Sequence, residues 1–182
     1  MTTDTTPEIK TILIPVDGSV HARKAALVGA AIAAKFGARV ILLHVLLRNI
    51  SLARLYDLAG TQKIPSDVLE KFKSITPAVY DFGLTVPAGV IHPVAPTDLL
   101  VEIGHHILKT EKDVIERQGV KNITPVIEDG DAAHKILEIT QKEKADFVVM
   151  GRRGLGALEG MLSGSVSTKV SHLAPATVVS VT

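Results

Sequence analysis

The chain has 182 residues and a formal net charge of +1 at neutral pH, and 46% of its residues are hydrophobic while 21% are charged. This composition is typical of a folded globular domain and excludes a disordered chain, and the balanced charge gives no sign of a nucleic-acid-binding surface. The absence of cysteine excludes disulfide bonds and cysteine-ligated zinc, and an aromatic content of 3% is too low for a platform that stacks single-stranded bases.

The first residues are polar and have neither the apolar core of a signal peptide nor the basic pattern of a transit peptide. Residues 1–8 are therefore expected to form a flexible tail, and the expected location of the protein is cytoplasmic. The most apolar stretch, Ala25 to Leu47, contains Lys35 and Arg39. It is too short and too charged for a membrane span, so none is predicted.

The first structural unit is a strand, a helix and a second strand. Lys10 to Asp17 is apolar without alternation, which is typical of a strand covered on both faces. An alanine-rich helix follows from about His21 to Phe36, apolar on nearly all sides and so expected to be closely packed, and Gly37 ends it. Arg39 to Val45 is the second buried strand. The three elements predict a right-handed unit with parallel strands.

The strand and helix rhythm breaks between residues 47 and 96. Ser51 to Ala59 could form a short helix, and Ser66 could cap another one through Ile75. Residues 84–94 contain two prolines, which are unsuited to a central strand. We therefore expect one domain over residues 9–182, with an insertion at about 47–96 that follows the second strand.

The alternation of strands and helices resumes after residue 96. A helix that Thr97 is expected to cap runs to Arg117, and Gly119 is expected to terminate it. Asn122 to Ile127 is a third strand, which Pro125 places at the edge of the sheet. The remaining predicted elements are a helix over 131–143, a strand over 146–150, a helix from Ser165 to His172 and a strand from Thr177 to Val181.

These elements predict an α/β fold, a doubly wound five-stranded parallel sheet with helices on both faces. Ligands of such sheets bind at the carboxyl ends of the strands, where the winding reverses. The loops after the first and fourth strands, at Asp17 and at Gly151, both lie at carboxyl ends. They are therefore the predicted elements of a ligand site.

The loop after the fourth strand is rich in glycine, with Gly151 and Gly154 at its beginning and Gly164 immediately before a helix. Glycine lets backbone approach a ligand closely, and the start of a helix offers unpaired amides to an anion. Ser165 is expected to cap that helix or to direct its hydroxyl outward. The pattern indicates a site for the phosphates of a nucleotide.

Other interpretations of these residues remain open. The loop could be only a flexible connection, and its spacing matches neither a Walker P-loop nor the dinucleotide fingerprint. Asp17 could serve only as a turn former before Gly18. Arg152 and Arg153 could contact phosphates, although exposed loop arginines are more often merely solvated. His44 is expected to be a core or rim residue.

The chain resembles the universal stress protein family. Residues 14–19, Ile-Pro-Val-Asp-Gly-Ser, are similar to the family's first strand and turn, and Leu43-His44-Val45 and residues 174–179 are similar to further family segments. Gly151, Gly154, Gly164 and Ser165 match the ATP-binding pattern G-x2-G-x9-G-[ST]. The resemblance covers about residues 9–46 and 97–182, and one departure is Ala132 where the family often has proline.

The resemblance implies the adenine nucleotide alpha hydrolase-like fold of universal stress proteins, with sheet order 3-2-1-4-5. It also implies ATP, with or without Mg²⁺, bound across the first and fourth strands. The implied contacts run from the base and ribose to the phosphates: Pro15, Val16, Asp17, Val45, Met150, Gly151, Gly154, Gly164, Ser165, Val166 and Ser167. Asp17 is the implied polar contact to the ribose, and Val45 the implied wall at the adenine.

The resemblance further implies a homodimer that pairs through the fifth strand, Thr177 to Val181, and an edge strand of this kind is suited to such pairing. The function that follows is an ATP-binding regulator of the stress response whose nucleotide state modulates contact with an unknown protein partner. A weak ATP hydrolase or nucleotidyl-transfer enzyme is the alternative, and a structural dimer that has lost nucleotide binding is the third possibility.

Overall fold

The computed structural model describes residues 8–48, 95–155 and 163–182, together with the single positions 50, 55, 58, 60, 64, 66, 68, 70 and 71. The predicted tail, apart from Glu8, lies outside the described residues, as does most of the predicted insertion over residues 47–96. The helices proposed within that insertion and its extended stretch are therefore not described as elements. The division of the chain into tail, domain and insertion stays a prediction.

Five strands and four helices alternate along the described residues. They are β1 (Thr11–Pro15), α1 (Val20–Phe36), β2 (Arg39–Val45), α2 (Thr97–Arg117), β3 (Ile123–Glu128), α3 (Ala132–Lys142), β4 (Phe147–Gly151), α4 (Ser165–Leu173) and β5 (Thr177–Val181).

The five described strands form one parallel sheet in the order β3-β2-β1-β4-β5. This order confirms the predicted doubly wound fold. β1 lies at the centre, where Ile12 is opposite Val40 of β2 on one side and Phe147 of β4 on the other. β3 lies at one edge, as Pro125 predicts, because proline has no N–H to donate and is therefore unsuited to a strand with neighbours on both sides. The winding reverses between β1 and β4.

Two layers of apolar side chains cover the sheet. On one face, α1 and α2 pack over residues such as Ile12 and Ile14 of β1. On the other face, Leu13, Leu43 and Ile136 belong to a second cluster beneath α3 and α4. Successive residues of a strand point to opposite faces, so the unbroken apolar run of β1 supplies both layers.

Helix α1 packs closely against the sheet through small residues. Its buried residues are Ala22, Ala25, Ala26, Gly29, Ala30 and Ala33. A Cβ on Gly29 would lie only 2.5 Å from the Cδ1 of Ile14, so glycine permits this close approach. The predicted close packing of α1 is limited to this inner face. Val20 is 70% exposed, and Leu27 and Val28 also face outward, because α1 has one outer face that no described element covers.

The N-caps of the helices differ in part from the sequence prediction. Ser19 caps α1 by accepting a hydrogen bond from the amide of Ala22 at 3.1 Å. The predicted caps Thr97 and Ser165 are instead the first helical residues, and Pro96 and Gly164 occupy the N-cap positions without a side-chain hydrogen bond. Gly164 has an extended backbone, with φ of −79° and ψ of 152°, and Pro96 has φ of −55° and ψ of 145°.

A carboxylate lies in the core between α1 and α2. Glu111 is fully buried, and its Oε1 accepts a hydrogen bond from the Nε of Arg23 at 2.7 Å. Its Oε2 has no hydrogen-bond partner among the described residues. Burial raises the pKa of Glu111, and the positive charge of Arg23 acts in the opposite direction. Within the described residues, the buried carboxylate of Glu111 is therefore compensated by one partner, Arg23.

His44 lies in the core beneath the end of β1. The ring is fully buried, and its Nδ1–H donates to the carbonyl of Val16 at 2.9 Å, while Nε2 has no hydrogen-bond partner in the described part of the chain. Burial lowers the pKa of His44, so the neutral ring with its proton on Nδ1 is the form that fits. His44 therefore ties β2 to the backbone immediately before Asp17.

Candidate functional site

A cleft of about 540 Å³ opens at the carboxyl ends of β1 and β4, where the winding of the sheet reverses. A volume of this size is typical of a site for a small molecule. All the residues predicted as nucleotide contacts line it: Pro15, Val16, Asp17, Val45, Met150, Gly151, Gly154, Gly164, Ser165, Val166 and Ser167. The structure thus brings together residues from β1, β2, β4 and the start of α4.

One wall of the cleft was missed by the sequence reasoning. It comes from the exit of β3 and the start of α3, with further apolar residues beside Val45 on β2 and after it. These additional lining residues are Leu43, Leu47, Ile50, Gly130, Asp131, Ala132 and Ile136. The available signal was positional, because Gly130 and Asp131 follow a strand and so lie at the same edge of the sheet as Asp17.

Asp17 joins the two sides of the cleft. Its Oδ1 accepts a hydrogen bond from the amide of Ser19 at 3.0 Å, which closes the turn into α1. Its Oδ2 accepts from the amide of Leu155 at 2.8 Å, which holds the glycine-rich loop against that turn. Gly18 has a φ of +84°, a left-handed conformation that favours glycine. Asp17 is therefore a structural link as well as a cleft residue.

The glycines of the loop have separate steric roles. A Cβ on Gly151 would lie 2.9 Å from the carbonyl carbon of His21 and 3.0 Å from the amide nitrogen of Ala22, so β4 meets the first turn of α1 there. A Cβ on Gly154 would collide with the carboxylate of Asp17. Glycine is therefore required at position 151 by backbone packing against α1, and at position 154 by the carboxylate of Asp17.

The start of α4 presents backbone amides to the cleft. The amide of Gly164 donates to the carbonyl of Arg152 at 2.9 Å, which fixes the helix start beside the end of β4. The following amides, of Ser165, Val166 and Ser167, belong to the first turn, which has no carbonyl partners within its own helix. The hydroxyl of Ser167 is already engaged, because its Oγ lies 2.7 Å from the carbonyl oxygen of Arg152 and 3.0 Å from that of Gly164, and its single proton donates to one of them or is shared between them.

An ion pair joins the segments that follow β2 and β3. Arg48 binds Asp129 through two nitrogens, and its Nη2 lies 2.6 Å from the Oδ2 of Asp129. The Nη1 of Arg48 also donates to the Oγ1 of Thr97 at 3.3 Å. Because Leu47 and Gly130 are the chain neighbours of this pair and line the cleft, the pair fixes the relative position of two wall segments.

Asp131 is the acidic residue at the α3 side of the cleft. It caps α3 by accepting from the amide of His134 at 2.9 Å, and the Nζ of Lys169 on α4 lies 3.5 Å from the same oxygen. The hydrogen bond from His134, followed by the charge of Lys169, lowers the pKa of Asp131. The ionised carboxylate thus joins the starts of α3 and α4 across the cleft.

The described part of the chain has neither a metal-binding cluster nor a membrane-spanning helix. No group of three or more histidine and acidic side chains there could hold a metal ion. None of its helices is long and apolar enough to cross a membrane.

We expect Gly151→Ala to lower the free energy of unfolding by about 1–3 kcal/mol, because the new methyl group meets backbone atoms of α1 that cannot move cheaply. Gly164→Ser is the matched control, since a Cβ there has only ordinary contacts, the nearest at 3.4 Å, and serine is a favoured N-cap. Urea unfolding measures both variants. Equal stability of the two proteins would contradict the assigned role of Gly151.

The chain was compared with the sequences of known protein families and relatives. The sequence model of the universal stress protein family matches residues 8–182. Universal stress protein MJ0531 of Methanocaldococcus jannaschii is 43% identical over 74 residues, which are 41% of this chain and 43% of that relative. The universal stress protein in the QAH/OAS sulfhydrylase 3' region of Thermus aquaticus is 29% identical over 170 residues, which are 93% of this chain and 96% of the relative.

Solved structures share the fold. Universal stress protein UspA from Lactobacillus plantarum has a TM-score of 0.64 at 18% identity, with 97% of this chain and 100% of that chain covered. A universal stress protein in complex with cAMP has a TM-score of 0.59 at 19% identity, with 96% and 98% covered. The protein from Archaeoglobus fulgidus in complex with dAMP has a TM-score of 0.58 at 15% identity, with 96% and 98% covered. Because the family's sequence model extends over nearly the whole chain, this protein belongs to the universal stress protein family.

Proposed function

We propose that the cleft binds ATP and that the protein is a dimeric regulator whose nucleotide state modulates contact with a partner. The observation that carries the proposal is the convergence of Asp17, the apolar wall at Val45 and the first turn of α4 on one cleft. Two structural neighbours were solved with the adenine nucleotides cAMP and dAMP, which supports an adenine nucleotide as the ligand class.

The residues of the cleft fit the parts of the proposed ligand. Leu43, Val45, Met150 and Ile136 belong to or border an apolar cluster and suit the faces of a base. Each oxygen of the Asp17 carboxylate accepts one amide, and a carboxylate oxygen has two lone pairs, so Asp17 keeps capacity for sugar hydroxyls.

The phosphate end fits the start of α4. The amides of Ser165, Val166 and Ser167 and the positive end of the helix dipole favour an anion there. Ser167 contributes its amide to this arrangement, since the single proton of its hydroxyl is already directed at the carbonyls of Arg152 and Gly164. When bound, the nucleotide would bring the negative charge of its phosphates to the glycine-rich loop and would change the contacts of that loop. The residues named here would bind and orient the nucleotide.

Magnesium enters the proposal through the nucleotide. The described residues offer no cluster of acidic or histidine ligands near the cleft. Mg²⁺ is commonly bound through substrate phosphates, water and few carboxylates, so the phosphate oxygens are the proposed ligands. The dimer is proposed to form through β5, which is an edge strand among the described strands of the sheet and so could pair with a second copy. The cytoplasmic location stays a prediction.

The proposal is tested with the purified wild-type protein. We expect calorimetry to show one ATP bound per chain, and native mass spectrometry to show a dimer that carries two nucleotides. Hydrogen exchange with and without ATP is expected to change protection beyond the cleft, because a regulatory ligand must alter a surface that a partner can read. Absence of any adenine nucleotide binding would contradict the proposal. Binding without any remote change in protection would contradict its regulatory part.

A further inference from the structure

Among the described residues that line the cleft, three have charged side chains: Asp17, Asp131 and Arg153. Both acids have protein donors, because Asp17 accepts two amides and Asp131 accepts an amide and faces Lys169. Within the described residues, the guanidinium of Arg153 has no hydrogen-bond or ion-pair partner. Arg153 is therefore the cation of the cleft whose donors remain available for a ligand.

Arg153 is also fixed at the anion-binding end of the cleft. Its Cα lies 3.6 Å from the position that a Cβ on Gly164 would occupy, so its backbone packs against the N-cap of α4. The carbonyl of the preceding residue, Arg152, accepts from the amide of Gly164 and the hydroxyl of Ser167. The base of the Arg153 side chain is thus held beside the amides that start α4.

The two kinds of donor suit different parts of a phosphate chain. The first turn of a helix can surround one phosphate group with backbone amides, but it carries only a partial positive charge. A guanidinium carries a full charge and binds phosphate oxygens through two parallel hydrogen bonds. A chain of several phosphates therefore gains more from Arg153 than a single phosphate that the helix amides already satisfy.

We propose that Arg153 sets the preference of the cleft for nucleotides with several phosphates over nucleotide monophosphates and cyclic monophosphates. This inference rests on the proposed function, because it assigns the selectivity of the same site. Asp17 and the apolar wall would contact the base and ribose hydroxyls, which are the same in ATP and AMP, so they bind these two alike. In cAMP the base is also the same, but only the 2'-hydroxyl is free, because the cyclic phosphate occupies the 3'-oxygen. Arg153 contacts the part in which the three ligands differ.

The test is calorimetry with ATP, AMP and cAMP on the wild-type protein and on three variants. In R153Q, we expect ATP binding to weaken about tenfold to a hundredfold, the effect of losing hydrogen bonds to a charged group. AMP and cAMP binding should weaken less than about threefold, as for the loss of a charge at a distance. R153K keeps the charge without the paired geometry and should give an intermediate loss of ATP binding.

R152Q is the matched control, because Arg152 is the neighbouring arginine but is not a lining residue of the cleft. It should keep the wild-type ratio of ATP to AMP affinity. Circular dichroism and the R153K variant guard against a loss of fold in R153Q. If the wild-type protein binds all three ligands and R153Q weakens them equally, or leaves ATP unchanged, this inference is overturned while the proposed function stands. If the wild-type protein binds none of them, the proposed function is overturned, and the inference with it.

Discussion

Arg23→Met is expected to lower the free energy of unfolding by about 2–4 kcal/mol at pH 8, the largest stability effect that we predict. The substitution leaves Glu111 fully buried with neither oxygen paired by an arginine. Loss of one partner from a buried ion pair is costly because the remaining charge is no longer compensated. Arg23 itself is 36% exposed, so we place the expected loss below that of a wholly enclosed pair. Urea unfolding at fixed pH measures it.

The same variant should depend on pH in a defined direction. Burial raises the pKa of Glu111, and Arg23 lowers it, so removal of Arg23 raises that pKa further. A carboxyl whose pKa is higher in the folded state binds its proton more tightly there than when unfolded. The stability that this proton confers is present at low pH and is lost as pH rises through the folded-state pKa. The deficit of Arg23→Met should therefore shrink between pH 8 and pH 5.

The double variant Arg23→Met with Glu111→Leu is the control for this result. It removes the buried charge together with its partner, so stability at pH 8 should return to within about 1 kcal/mol of the wild-type protein or exceed it. The difference from wild type should also lose its dependence on pH. A double variant as unstable as Arg23→Met would show that Arg23 acts through packing of its stem rather than through Glu111.

The second large effect concerns ligand binding. Gly154→Ala should weaken ATP binding about a hundredfold, because its Cβ would fall on the Oδ2 of Asp17. The carboxylate must then leave the amide of Leu155, and the proposed sugar contact moves with it. The loss of affinity would then act through Asp17 and not through a side chain that blocks the phosphates directly. Calorimetry with ATP measures the loss.

A double-mutant cycle with Asp17→Ala separates the two explanations. If Gly154 is needed because of Asp17, then Gly154→Ala should cost stability in the wild-type background but almost none when Asp17 is already alanine. ATP affinity should be equally low in Gly154→Ala, Asp17→Ala and the double variant. A further drop in affinity in the double variant would indicate that the methyl group blocks the ligand independently of Asp17.

Much of the fold could be predicted from local pattern. The buried strands carry continuous apolar runs, Gly37 ends α1 in the left-handed conformation, and Pro125 marks an edge strand. The starts of α2 and α4 were predicted less accurately. Thr97 and Ser165 are of residue types that commonly cap helices, but each is the first helical residue. The choice between adjacent residues is instead decided by backbone geometry, and the Thr97 hydroxyl is engaged by Arg48.

The candidate site was predictable where its residues follow strands of the sheet, and less so where tertiary packing decides. The contact between Asp17 and Leu155 crosses 138 positions, and no local pattern reveals it. Ile136 was missed because its position over the cleft depends on how α3 crosses the sheet. Glu111 did leave a signal, since it occupies the helical stripe between Ile107 and Val114 where an apolar residue is expected.

The separation of Asp17 and Leu155 in the chain has a consequence for biosynthesis. A ribosome adding about 5–20 residues per second releases the first strand and its turn well before the loop that completes the cleft. β1 also cannot complete its hydrogen bonds at the centre of the sheet until β4, one of its two neighbours, has been synthesised. An emerging polypeptide therefore has no complete cleft until its last third has been translated. The proposed nucleotide ligand could then stabilise only a finished molecule and could not act as a template for the nascent amino-terminal half.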